Sequence, residues 1–190
     1  MRKRAAQELS PEMGRMGAED PPRAFPGRAS RQSSPSVGAL GAGLRLLGMR
    51  AHSRVEIRRK LGRRGYPADE IDSAMVRLQE LGYLNDSSFA EGLVRYRSAS
   101  RGPRALSAEL AARGVDRAQA DAALASFDLE AQLAAATRLA ERLYATKPVS
   151  GYREMLDGVG AKLMRRGFSA TTVRLACRAV LSSTAVQPED

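Results

Sequence analysis

Tryptophan is absent from the 190 residues, and cysteine and histidine occur once each, as Cys177 and His52. A single cysteine excludes an internal disulfide framework and suits a reducing compartment. A single histidine directly before a helix-start signal offers no acid–base constellation. Aromatic residues make up 5% of the chain, and no β-branched or aromatic run reaches strand length, which argues against a sheet. No apolar stretch approaches the roughly 20 residues that a membrane span needs, so no membrane partner is expected. The basic start Met1-Arg2-Lys3-Arg4 is not followed by an apolar region, which excludes a secretory signal. Glu8, Glu12, Glu19 and Asp20 weigh against an organelle transit peptide. A cytoplasmic location is the expectation.

Acid is also in short supply. Lysine and arginine number 31 against 21 aspartate and glutamate, giving a net charge of +10. Such a surplus suits a polyanionic partner, nucleic acid first, with an acidic membrane surface or acidic protein as alternatives. Ala, Leu and Arg are plentiful, and 43% of the residues are hydrophobic. That composition favours an all-helical fold. Residues 1–36 are rich in Pro, Gly, Ser and Arg without an apolar period, and a disordered arm is expected there. It serves as a solvated tail or adds phosphate contacts.

From residue 37 one phrase is written three times: KLGRRGYP at 60–67, ELAARGVD at 109–116 and KLMRRGFS at 162–169. The glycines Gly65, Gly114 and Gly167 stand 49 and 53 residues apart. Four positions before each is a leucine (Leu61, Leu110, Leu163), and four before that an aliphatic residue (Ile57, Leu106, Val159). This spacing marks one face of a short helix. Glycine followed by an apolar residue (Tyr66, Val115, Phe168) is the sequence of a Schellman helix end. A second helix is then expected to start at Pro67, at Asp116 with Gln119, and at Ser169. Its buried face repeats as Ile71, Ala120, Val173; Ala74, Ala123, Ala176; and Leu78, Phe127, Val180. Cys177 falls on the core position held by Met75 and Leu124. Ser53-Arg-Val-Glu56 reads as a capping box.

A further amphipathic stretch precedes each hairpin, at about 38–50, 86–100 and 128–146. The expected units are therefore 37–84, 85–127 and 128–182, with a disordered tail at 183–190. Each is small for an independent core, so stacking is expected, in an elongated, curved molecule. GALGAG (38–43) follows no strand and lacks the phosphate-loop lysine, so it is set aside as a nucleotide motif. Asn85 and Asp86 are expected to cap the helix they precede. No carboxylate group accompanies them, and no metal or other cofactor is expected.

Three basic sets are the candidate binding residues. Arg54, Arg58, Arg59, Lys60, Arg63 and Arg64 lie on the first hairpin helix, with Arg58, Arg59 and Arg63 on its outer side by helical wheel. Arg95, Arg97, Arg101 and Arg104 surround Tyr96, whose ring either packs between units or stacks on a base. Lys162, Arg165 and Arg166 form the third set. Spread along an array, these residues suit a partner that is itself extended.

Residues 40–181 resemble the RecX family, the regulatory proteins of the bacterial RecA recombinase. The resemblance rests on Ser53-Arg-x-Glu-Ile, Leu61-x-x-x-Gly65, Leu81-Gly-Tyr-Leu-Asn-Asp86 with Phe89-Ala90, the arginine-flanked Gly102-Pro103, and Leu110-x-x-x-Gly114-Val115. It weakens in the third unit, where Arg165-Arg166-Gly167-Phe168-Ser169 is the landmark. The resemblance implies a non-enzymatic modulator, lying as a monomer in the groove of the recombinase filament on single-stranded DNA. It further implies inhibition of ATP hydrolysis, strand exchange and coprotease activity, in the setting of DNA repair and the SOS response. Gly48 and the long arm depart from the family pattern. The rival from another class is a helix-turn-helix-like regulator of duplex DNA, which would prefer a defined site, usually as a dimer.

Overall fold

A computed structural model describes residues 38–185, which all belong to one compact unit. The chain up to residue 37, including the expected arm, and residues 186–190 lie outside the described residues. Among the described residues every regular element is helical. Helices α1 (Ala39–Met49), α2 (Arg54–Arg63) and α3 (Ala68–Glu80) are followed by α4 (Asp86–Arg97), α5 (Pro103–Ala112) and α6 (Arg117–Ala125). The third group opens with α7 (Leu129–Thr146). Helix α8 (Tyr152–Met155) then runs without a break through a π-helical turn (Leu156–Gly160) into α9 (Ala161–Arg165), and α10 (Ala170–Ala185) closes it.

The repeated phrase ends the middle helix each time. Gly65, Gly114 and Gly167 have φ of 84°, 76° and 90°, a region that a Cβ disfavours. The N–H after each glycine returns to the leucine carbonyl five residues back: Tyr66 to Leu61 at 3.4 Å, Val115 to Leu110 at 3.1 Å and Phe168 to Leu163 at 3.3 Å. These are Schellman closures. A fourth, unforeseen from the sequence, ends α3 at Gly82, with φ 75° and Tyr83 bonded to Leu78 at 3.0 Å.

Two starts differ from expectation. Pro67 takes the cap position rather than the first turn, and Asp116 accepts from the Ala118 N–H, two residues on, instead of pairing with Gln119. Helix α10 also continues to Ala185, past the expected end at residue 182, with the Ser183 and Thr184 hydroxyls bonded back to the Val180 carbonyl. Ser53 caps α2 in a complete capping box with Glu56, and Ser169 accepts from Thr172 N–H at 3.1 Å.

Burial follows the repeat. Every position of the i, i+4 stripe and of the second helix's face is buried in all three groups, and Cys177 is fully enclosed. The apolar residues nevertheless divide into two cores. One runs from Ala39 to Leu84 and belongs to α1–α3, while the other, from Phe89 to Val180, joins α4–α6 to α7–α10. Tertiary contact, rather than helix propensity, holds such short helices. The GALGAG glycines sit at the start of α1, where Gly43 leaves room for Leu78.

Candidate nucleic-acid interface

The middle helices α2, α5 and α9 meet end to end, and this arrangement sorts the basic residues. The Ser53 hydroxyl, at the N-cap of α2, donates to the Arg113 carbonyl at the C-cap of α5. The Gly102 N–H, at the N-cap of α5, donates to the Arg166 carbonyl at the C-cap of α9 at 2.8 Å. Arg104 N–H adds a bond to Gly167 O at 3.2 Å. In each joint the start of one middle helix satisfies carbonyls at the end of the next, so positive and negative dipole ends are apposed.

Both joints demand glycine for space. A Cβ on Gly114 would stand 2.6 Å from Val55, and one on Gly102 would stand 2.4 Å from the Gly167 backbone.

The first joint is charge-balanced. Glu56 receives Arg113 at 3.2 Å and Arg50 at 3.3 Å, and Glu109 receives Arg113 at 2.9 Å and Arg97 at 3.9 Å. Burial on its own would raise the Glu56 carboxyl, but Arg50, the Ser53 N–H and Arg113 outweigh it and hold the group below its ordinary value. Asp86 does not cap its own helix, a correction to the sequence reading. Asn85 does so through Ser88 N–H, and Asp86 instead accepts the Arg54 N–H of α2 at 2.9 Å. His52 is buried beside this joint. Its Nδ1–H donates to the Arg50 carbonyl at 2.8 Å, its Nε2 has no hydrogen-bond partner among the described residues, and burial pushes its pKa down.

The second joint carries no such balance. Arg101, Arg104 and Arg165 are exposed and Arg166 half-buried around the Gly102–Gly167 contact, and none of the four has an ion pair among the described residues. Lys162, exposed on α9, lies one turn away on the same helix. On α2, Arg54, Arg59, Arg63 and Arg64 are exposed, likewise without ion pairs among the described residues. Lys60 is half-buried. Arg58, expected on the free outer side, is paired with Asp72 of α3. Arg97 is half-buried and committed to Glu109 and to the Tyr96 ring, 5.9 Å from its centroid. Tyr96 does not pack between units, since it is 82% exposed. Neighbouring apolar positions on α4 already fill the core, leaving the ring outside.

Arg138 escaped the sequence reading. Helices α4 and α7 both border a cavity of about 530 Å³, which sets Arg138 with Arg95 on its rim over Val94, Phe127 and Ala135, with Glu91 also at the edge. Nothing in the local pattern around Arg138 separates it from other solvent-facing arginines.

Tandem three-helix units with an unbalanced arginine cluster at one joint describe a basic helical repeat protein, with no metal-binding group of His, Cys, Asp and Glu among the described residues. Known proteins define it further. Residues 39–78 match the first three-helix domain of RecX and residues 85–124 the second. Regulatory protein RecX of Mycobacterium ulcerans is 35% identical over 166 residues, covering 86% of this chain and 94% of its own. Regulatory protein RecX of Stenotrophomonas maltophilia strain K279a is 36% identical over 154 residues, covering 80% and 90%. The crystal structure of RecX from Lactobacillus salivarius superposes with a TM-score of 0.67 at 25% identity, covering 76% of this chain and 95% of that one. The chain belongs to the RecX family of regulatory proteins. No described helix is long and apolar enough to cross a membrane.

Proposed function

We propose that this protein regulates the RecA recombinase by docking, one chain at a time in dilute solution, in the groove of its filament on single-stranded DNA. In this reading it acts in the cytoplasm, in DNA repair and the SOS response, and inhibits ATP hydrolysis, strand exchange and coprotease activity without catalysis of its own. The observation that carries the reading is the contrast between joints. Where arginines serve the fold, at Glu56 and Glu109, they are neutralised; at Gly102–Gly167 four have no ion pair among the described residues. Unpaired arginine on a rigid joint is a ready contact for phosphate or for an acidic protein face. The α2 set Arg54, Arg59, Lys60, Arg63 and Arg64 extends the same chemistry, with Lys162 beside the second joint. Arg58 and Arg97 contribute less, because they are already paired, while Arg95 stands on the cavity rim with Arg138.

The test is single-stranded-DNA-dependent ATP hydrolysis by the cognate recombinase, titrated with the wild type and with Arg101, Arg104, Arg165 and Arg166 all changed to Glu. Inhibition by the wild type below one chain per recombinase, lost in the variant, is the expected result. Unchanged inhibition by the variant removes this patch from the mechanism. No inhibition by either protein, with tight binding to a defined duplex, favours the duplex-binding regulator instead. Binding should also weaken steeply with salt, since each released counterion adds to the slope.

A further inference from the structure

The end-to-end joint occurs twice within the chain, and both of its halves are left over at the ends of the array. The first half is the closing end of a middle helix: an arginine at the C-cap followed by a left-handed glycine. Arg113-Gly114 and Arg166-Gly167 are each covered by the start of the preceding middle helix. Arg64-Gly65 ends α2 in the same Schellman geometry, is exposed, and has nothing among the described residues within 4 Å of a Cβ built at Gly65. The second half is the opening end. Ser53 and Gly102, the N-caps of α2 and α5, bond the next unit's C-cap carbonyl. Gly151, the N-cap of the fourteen-residue helical run from Tyr152 to Arg165, repeats the side-chain-free cap of Gly102, yet nothing among the described residues lies within 4 Å of its own Cβ position.

The charges at these two ends match as well. In the first joint the third residue after the N-cap, Glu56, pairs across the joint with the C-cap Arg113 at 3.2 Å. The residue at that position after Gly151 is Glu154, exposed and bonded to the Ser150 N–H. The residue in the Arg113 position on α2 is Arg64, exposed and without an ion pair among the described residues. The unfilled halves therefore carry the same glutamate–arginine complement that closes the first joint.

We infer that a second copy of this chain docks its Gly151–Glu154 end on the Arg64–Gly65 end of the first, repeating the internal joint between molecules. The contact is heterologous, one surface against a different one, so it does not close on itself and extends copy by copy. The inference does not depend on the proposed function, although copies aligned on an extended partner would meet at high local concentration.

Arg63→Cys and Arg153→Cys each place one exposed cysteine beside one half of the joint, while Cys177 is fully buried and shielded from reagent. Concentrated full-length proteins are treated with a short bis-maleimide, each variant separately and the two mixed, with circular dichroism confirming that both are folded. A cross-linked dimer in the mixture, well above either variant separately, is expected. Adding Arg64→Glu to the Arg63→Cys chain should abolish it, and Glu154→Arg in the Arg153→Cys chain should restore it. Equal product from each variant separately, no product in the mixture, or product indifferent to Arg64→Glu overturns the inference.

Discussion

A methyl group added at Gly102 would stand 2.4 Å from the Gly167 backbone, where no rotamer change can relieve it. A methyl at Gly65 meets nothing described within 4 Å, and its cost is the left-handed φ of 84°. Gly65→Ala should accordingly lose about 1–2 kcal/mol. Gly102→Ala should lose about 3 kcal/mol, the upper end of overpacking, because it forces two units apart. Urea denaturation followed by circular dichroism ranks the pair, and equal losses would refute the close-approach account. Glu56 and His52 add a pH dependence of one sign. Both pKa values are lowered on folding, so the unfolded chain binds more protons and stability is present above their ordinary values of 6.5 and 4.5. It is then lost as pH falls, first below 6.5 through His52 and then below 4.5 through Glu56. His52→Gln should flatten the upper part of that decline in melts taken between neutral and mildly acidic pH.

Helices α1–α3 close their own core, and their links to the rest include the polar seam of Ser53, Glu56, Glu109 and Arg113. Arg113→Met keeps the stem and removes the charge from both glutamates. The pair is about a quarter exposed at Arg113, so solvent tempers the loss to about 1–2 kcal/mol, below that of a fully buried pair. Amide exchange should then quicken in α1–α3 while α7–α10 keeps its protection. The helices themselves were legible in the sequence, because leucine spacing, glycine ends and Ser53 act within a few residues. The Gly82 closure was missed although its signal, Leu78 to Tyr83, is the same; without a counterpart in the other units it did not stand out. The joints were not legible at all. Ser53 meets Arg113 across 60 residues, and no local pattern states which arginine will find a glutamate. That is why the partners of Arg58 and Arg97 and the placing of Arg138 are not readable from the sequence, while the stripe positions are.

The complete array shows how a repeat sequence serves two ends with one residue type. Arginine at the C-cap is common to all three units, at Arg64, Arg113 and Arg166, yet it is neutralised in one joint, without an ion pair among the described residues in the next, and exposed at the end of α2. Composition reported the surplus of charge, and packing decided where it lies.

The division into two cores also orders events during synthesis. The first core is complete once Leu84 has emerged, whereas the second needs Val180, close to the end of the chain. Chains are made N-terminus first, so α1–α3 can be native on the ribosome while α7 still waits for α10, the helix it packs on most. The side of α7 that α10 covers stays bare during that interval. A chain truncated before α10 should therefore keep its first unit folded and engage chaperones through the bared side of α7.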